Sequence, residues 1–134
     1  MPPPSPAKRP AILTIDDAKA LRLFVEKTLG PFACDVSEAA NGYNAFFAIE
    51  RARPDLILLD ISMPIMDGIE TLTRLKAAPE LAGIPVIMLT SRADHAVMSQ
   101  LPALGASDSL MKPFTPAALL EKIRRVLELK PAKP

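Results

Sequence analysis

Asp55-Leu56-Ile57-Leu58-Leu59-Asp60-Ile61-Ser62-Met63-Pro64-Ile65-Met66-Asp67-Gly68 is the stretch that decides the fold. It opens as a continuous apolar run, closes on a carboxylate, and passes at once into residues with a proline and an Asp-Gly turn signal. The run is far shorter than the ~20 residues of a membrane span. It is also too uniformly apolar for a half-exposed strand, so it reads as a central strand of a parallel sheet. Asp60 then stands at the strand's carboxyl end, where open α/β sheets hold their ligands. Alone, such an aspartate reads equally well as the cap of the following helix; its company elsewhere in the chain favours a site.

Working outward, Ala11-Ile12-Leu13-Thr14-Ile15 is a β-rich run ending in Asp16-Asp17. Leu21, Phe24, Val25, Thr28 and Leu29 follow at helical spacing, and Gly30-Pro31 stops that helix. Cys34-Asp35-Val36 reads as a brief strand and Asn41-Gly42 as a turn. A second helix then carries Ala45, Phe46, Ile49 and Ala52 on one side and closes at Arg53-Pro54. Beyond the central strand, a helix from Ile69 to about Ala77 turns Leu72 and Leu75 inward, and Pro79 and Gly83 bound a linker. Pro85-Val86-Ile87-Met88-Leu89-Thr90 is another buried strand with a polar end, and Ser91 with Asp94 has the spacing of a capping pair. A fourth helix is expected to about Leu104, weakened by Pro102 in its last turn and stopped by Gly105. Ser109-Leu110-Met111-Lys112 is a fifth strand. Thr115-Pro116 caps a last helix with Leu119, Leu120, Ile123, Val126 and Leu127 inward.

Strand and helix alternate five times, which implies right-handed crossovers and a parallel sheet covered on both faces. The fold class is therefore α/β, a doubly wound five-stranded parallel sheet. With strand order 2-1-3-4-5 the switch point falls between the strands that end in Asp16-Asp17 and in Asp60.

The chain has 134 residues, one domain's worth. Residues 1–10, with five prolines, are expected to be a disordered arm, residues 11–128 the domain, and residues 129–134 a disordered tail. A formal charge of +1 with both signs interspersed gives no footprint for nucleic acid or an anionic membrane. The single cysteine, Cys34, excludes an internal disulfide and every multi-cysteine metal site, and reads as a small apolar strand residue. With no membrane-length run and no signal-peptide core, the expected setting is the cytoplasm.

Four strand ends carry polar groups toward one edge: Asp16 and Asp17, Asp60, Thr90, and Lys112. Three carboxylates in one shallow pocket raise one another's pKa unless a cation sits among them. A hard divalent ion with oxygen ligands, Mg²⁺ above all, meets that need. Lys112 adds a point charge for a phosphoryl oxygen and Thr90 a hydroxyl donor. Carboxylate, metal, lysine and hydroxyl together suit phosphoryl transfer to an oxygen nucleophile.

In these pieces the sequence resembles the receiver domain of two-component response regulators, including the stand-alone chemotaxis-type ones, and so a flavodoxin-like fold. The matching segments are Ile15-Asp16-Asp17, Leu58 to Gly68, Leu89-Thr90, Gly105-Ala106 and Lys112-Pro113-Phe114. Their order and spacing, more than any one of them, carry the match. The resemblance implies that Asp60 accepts a phosphoryl group from a histidine kinase or a histidine phosphotransfer protein. It implies that Asp17, Asp60 and the backbone carbonyl of Ser62 hold Mg²⁺, with Asp16 helping through water. It further implies that Thr90 and Lys112 bind the phosphoryl oxygens, that a downstream target protein reads the outcome, and that the Lys112–Pro113 peptide is cis, which only X-Pro bonds adopt cheaply.

The chain departs from that family at Ser109, where receivers usually carry Tyr or Phe; signalling is then expected to run through the fourth helix. Ser62 and Arg92 border the site and are expected to tune phosphoryl lifetime. His95 reads as solvated, Met63 and Met66 as loop packing, and Tyr43 with Phe47 as exposed residues that would form a docking patch if paired. Nucleotide hydrolysis is disfavoured because no Gly-x-x-x-x-Gly-Lys loop exists, and an aspartyl phosphatase because Ser62 stands where a second carboxylate is wanted. Two readings stay open beside the phosphorylated receiver: a binding module that keeps the fold without phosphorylation, and a receiver belonging to a longer regulator.

Overall fold

The computed structural model describes residues 9–132. The elements are β1 (Ala11–Ile15), α1 (Lys19–Leu29), β2 (Asp35–Ala39), α2 (Gly42–Arg51), β3 (Leu56–Asp60), α3 (Gly68–Ala77), β4 (Val86–Thr90), α4 (His95–Met98), β5 (Asp108–Met111) and α5 (Pro116–Arg124). All strand pairs are parallel, in the order β2-β1-β3-β4-β5, as expected. The chain therefore leaves β1 toward one edge and returns to build β3 on its other side, opening a crevice at their carboxyl ends.

Alternation along the strands sorts the core into two layers. Leu13, Ile15, Ile57, Leu59, Val86 and Met88 face α2, α3 and the segment around Leu101. Ile12, Leu56, Leu58, Ile87 and Leu89 face the other way, against Val25 and Leu29 of α1 and Leu119 and Ile123 of α5. Every residue of β3 and β4 is buried, the signature of strands covered on both faces. Truncating one of these to alanine costs about 2–5 kcal/mol, so the frame under the crevice is stiff.

Boundaries differ from expectation in places that have physical causes. The fourth helix does not reach Leu104: a 3₁₀ turn at Arg92–Asp94 leads into α4, which ends at Met98, and turns follow to Gly105. Pro102 accounts for the stop, because in a continued helix its ring would clash with the carbonyl four residues back, that of Met98. The second strand begins at Asp35 and runs on to Ala39, held by pairing with β1. Asn41 is the N-cap of α2, its side chain accepting from the N–H of Asn44, and Gly42 is already helical. Ala52 caps the exposed end of that helix and does not join its inward face.

Residues 1–8 and 133–134, parts of the expected arm and tail, lie outside the described residues. Leu129 is buried, and Pro131 bridges Phe32. The N–H groups of Ala33 and Ala132 donate to the carbonyls of Lys130 and Pro31. The strip from Leu129 to Ala132 is thus tied to the domain, its backbone partners supplied by the turn after α1.

Candidate functional site

The crevice is built by four strand ends. At the end of β1, Asp16 is fully buried while Asp17 is exposed. Asp16 is fixed from several sides: its N–H donates to the Ala39 carbonyl, its Oδ1 accepts from the N–H of Ala18 at 2.8 Å, and Arg22 donates to its carbonyl while pairing with Glu38. At the end of β3, Asp60 is 5 % exposed. Carboxylate oxygens of Asp16, Asp17 and Asp60 all lie within 4.8 Å of one another, as the strand order requires.

Lys112, just past β5, reaches across to them. Its Nζ donates to Asp16 Oδ2 at 2.8 Å and to Asp60 Oδ1 at 3.0 Å, so the ammonium occupies the place between two carboxylates. Burial alone works against the charged ammonium, but the hydrogen bonds and charges of Asp16 and Asp60 outweigh it, and the Lys112 pKa moves up. The Asp60 carboxyl is pushed up from 3.8 to about 6, first by burial; Lys112 opposes the rise, and the neighbouring charges of Asp16 and Asp17 add to it. The Lys112–Pro113 peptide is cis, as the resemblance implies.

Thr90 ends β4, fully buried, and its hydroxyl has no hydrogen-bond partner. Its carbonyl accepts from the N–H of Lys112 at 2.6 Å, which ties the two residues together. A buried, unpartnered hydroxyl carries a desolvation cost of about 1–3 kcal/mol, and sites that bind polar groups are where that cost is met. Ser62, two residues past Asp60, lines a shallow depression with Asp17, Met63, Pro64 and Asp67. All five polar residues read from the sequence as a constellation meet at one sheet edge, and Ser62 adjoins them.

The donor set fits a hard cation: three carboxylates at one point, one of them exposed, with a carbonyl-bearing loop alongside. No cysteine or histidine takes part, which favours magnesium-like over thiophilic ions.

Three contributors escaped the sequence reading. In the sequence Gly68 reads as a turn residue within the Leu58 to Gly68 match, with no role of its own. A Cβ there would lie 2.1 Å from the Asp60 carbonyl oxygen, and its N–H donates to the Ile61 carbonyl, so the loop after Asp60 folds back onto its own strand. Arg22 gave no signal beyond being a helix charge. Asp94 was read as a cap, and it is one, but its second oxygen accepts from the Ser62 hydroxyl at 3.1 Å. At Ser109 the structure shows a small residue paired with Met88, and the exposed rings of Tyr43 and Phe47 do pack edge to face, 5.3 Å apart.

An acidic triad at the β1/β3 switch point, with a bridging lysine and an idle hydroxyl on the neighbouring strand ends, is a set of groups suited to holding a phosphoryl group. Residues 12–124 match the family model described as the response regulator receiver domain. The chain belongs to that family, a signalling module of two-component systems in which an acceptor aspartate and Mg²⁺ dependence are general features. It is 34 % identical over 119 residues to sporulation initiation phosphotransferase F of Bacillus subtilis, covering 89 % of this chain and 94 % of that one. It is 37 % identical over 116 residues to the probable transcriptional regulator ycf27 of Porphyridium aerugineum, covering 87 % of this chain but 47 % of that one. The solved chemotaxis protein CheY4 of Vibrio cholerae superposes with a TM-score of 0.83 at 32 % identity, over 90 % of this chain and all of that one.

The chain thus spans about half the length of several curated relatives, among them the DNA-binding response regulator MtrA of Mycobacterium leprae. The expectation of no nucleic-acid partner therefore rests on this sequence's charge alone and finds no support in its relatives. Among the described residues no helix is long and apolar enough to cross a membrane.

Proposed function

We propose that this receiver takes a phosphoryl group on Asp60 and, in doing so, changes its affinity for partner proteins. The observation that carries the reading is the ammonium of Lys112 set between Asp16 and Asp60, with the unpartnered Thr90 hydroxyl at the end of the adjoining strand. In the transfer an Asp60 carboxylate oxygen attacks the phosphorus of a partner's phosphohistidine, the P–N bond breaks, and the imidazole leaves with its electron pair. Water later attacks the acyl phosphate and returns inorganic phosphate and the free carboxylate. The module's chemistry is confined to its own aspartate; it is a switch, not an enzyme of metabolism.

Even with its raised pKa of about 6, Asp60 is mostly ionised at neutral pH and so nucleophilic. Lys112 can turn from Asp16 to a phosphoryl oxygen, and Thr90 can donate to another. Mg²⁺ would be held by Asp17, Asp60 and the Ser62 carbonyl, with Asp16 acting through water, and would supply charge neutralisation. The phosphoryl donor is a histidine kinase or histidine phosphotransfer protein, the reader is a downstream protein, and the setting is the cytoplasm.

The test is titration of beryllofluoride, a phosphoryl mimic, with Mg²⁺, followed by amide spectra. Binding that shifts Ser62, Thr90 and Lys112 and is lost in Asp60→Asn supports the reading. If beryllofluoride fails to bind while Mg²⁺ does, the phosphorylation-independent module takes its place, as the missing aromatic at Ser109 would favour.

A further inference from the structure

Asp94 is buried, and its two oxygens serve two different loops. Oδ2 accepts from the N–H of Ser91 at 2.8 Å and from the Ser91 hydroxyl at 3.0 Å, closing a capping box directly behind Thr90. Oδ1 accepts from the hydroxyl of Ser62, on the loop that follows Asp60. One carboxylate therefore bolts the turn after β4 to the loop after β3, across the mouth of the site.

Thr90 has an idle hydroxyl, and Ser91 is its covalent neighbour. Any shift of Thr90 toward a group on Asp60 pulls Ser91, and Ser91 is gripped by Asp94 at two points. Either all three residues move together or one link gives. The link to Ser62 is the longest of the three, at 3.1 Å, and its serine is exposed, so water replaces that bond at least cost. We propose that Asp94 is a positioning residue whose hydrogen bond to Ser62 latches the β3–α3 loop to the Thr90 turn in the unphosphorylated state and must open when Thr90 closes on the phosphoryl group.

The proposal rests on the phosphoacceptor reading of Asp60 and fixes a sign. Removing the latch removes a cost of closing, so Ser62→Ala should bind beryllofluoride with Mg²⁺ more tightly than wild type, by about three- to tenfold, the net worth of one exposed hydrogen bond that water can replace. Ser62→Thr keeps the hydroxyl and should return within about twofold of wild type. In an Asp94→Ala background, Ser62→Ala should change affinity by less than about twofold, because the bond is already gone. If Asp94→Ala does not fold, the contrast between Ser62→Ala and Ser62→Thr in the wild-type background decides the matter by itself.

The readout is the fluorine resonance of the bound mimic across a titration. Weaker or unchanged binding by Ser62→Ala, an equal effect in both backgrounds, or a Thr variant that behaves like Ala would each overturn the latch. Wild type that binds no beryllofluoride overturns the phosphoacceptor reading beneath it, and is told apart because it is seen before any Ser62 variant is compared.

Discussion

Replacing Asp60 with asparagine should make the metal-free protein more stable, in spite of removing half of an ion pair. Burial and the nearby charges of Asp16 and Asp17 raise the Asp60 pKa from 3.8 to about 6, with the attraction of Lys112 already included in that balance. At ~1.36 kcal/mol per pH unit, ionising Asp60 is about 3 kcal/mol costlier in the folded chain than in the unfolded one. The folded state holds the proton more tightly, so this group's contribution is fully present below pH 3.8 and is lost as pH rises through about 6. Asparagine is nearly the same size, can still accept from Lys112, and carries no charge to bury. Urea unfolding in a chelator should therefore show a gain of about 3 kcal/mol for the variant near pH 7.5, shrinking to about 0.5 kcal/mol near pH 4. A variant no more stable than wild type at the higher pH, or a gain equal at both, would refute the reasoning.

Gly68→Ala should destabilise by at least about 2 kcal/mol, because its Cβ would meet the Asp60 carbonyl oxygen at 2.1 Å and the Ile61 Cα at 2.7 Å, both backbone atoms; urea unfolding checks it, and a neutral result would mean the loop is not packed as described. Ile65 sits at φ 71° with 80 % of its surface exposed, an unfavourable backbone for a β-branched residue with little packing in return. Ile65→Asn should accordingly stabilise by about 1 kcal/mol, and a loss of stability in thermal unfolding would contradict that. Lys112→Ala should weaken beryllofluoride binding by about tenfold or more. Its Mg²⁺ affinity should hold or rise, since the ammonium competes for Asp16 and Asp60; equal losses by calorimetry would contradict the assigned role.

The strands were legible because fully buried parallel strands leave no polar residue inside the run, as Leu56 to Leu59 and Val86 to Leu89 show. Once the strands were placed, their alternation with helices implied a parallel sheet, and with the order 2-1-3-4-5 the crevice followed, so Asp16, Asp17, Asp60, Thr90 and Lys112 all stand out as strand ends. Less legible were features for which a simpler local explanation already sufficed or whose extent local signals did not set. The early end of α4 follows from a proline whose clash lies four residues upstream. The close approach at Gly68 depends on how the loop folds back, and glycine in an Asp-Gly pair signals a turn just as readily. The link between Ser62 and Asp94 joins two segments that each have a sufficient local explanation, a loop polar residue and a helix cap. The bonds holding Leu129 to Ala132 come from the turn after α1, which a proline-rich composition does not reveal.

The central claim is that Asp60 takes a phosphoryl group in a metal-dependent reaction. Intact mass after incubation with a small phosphodonor and Mg²⁺, beside Asp60→Asn and a chelated control, tests it most directly. The account predicts a gain of a single phosphoryl group in the wild type with Mg²⁺ and none in either control. A gain that survives loss of Asp60 or of the metal, or no gain in a protein shown to bind both Mg²⁺ and beryllofluoride, would contradict it.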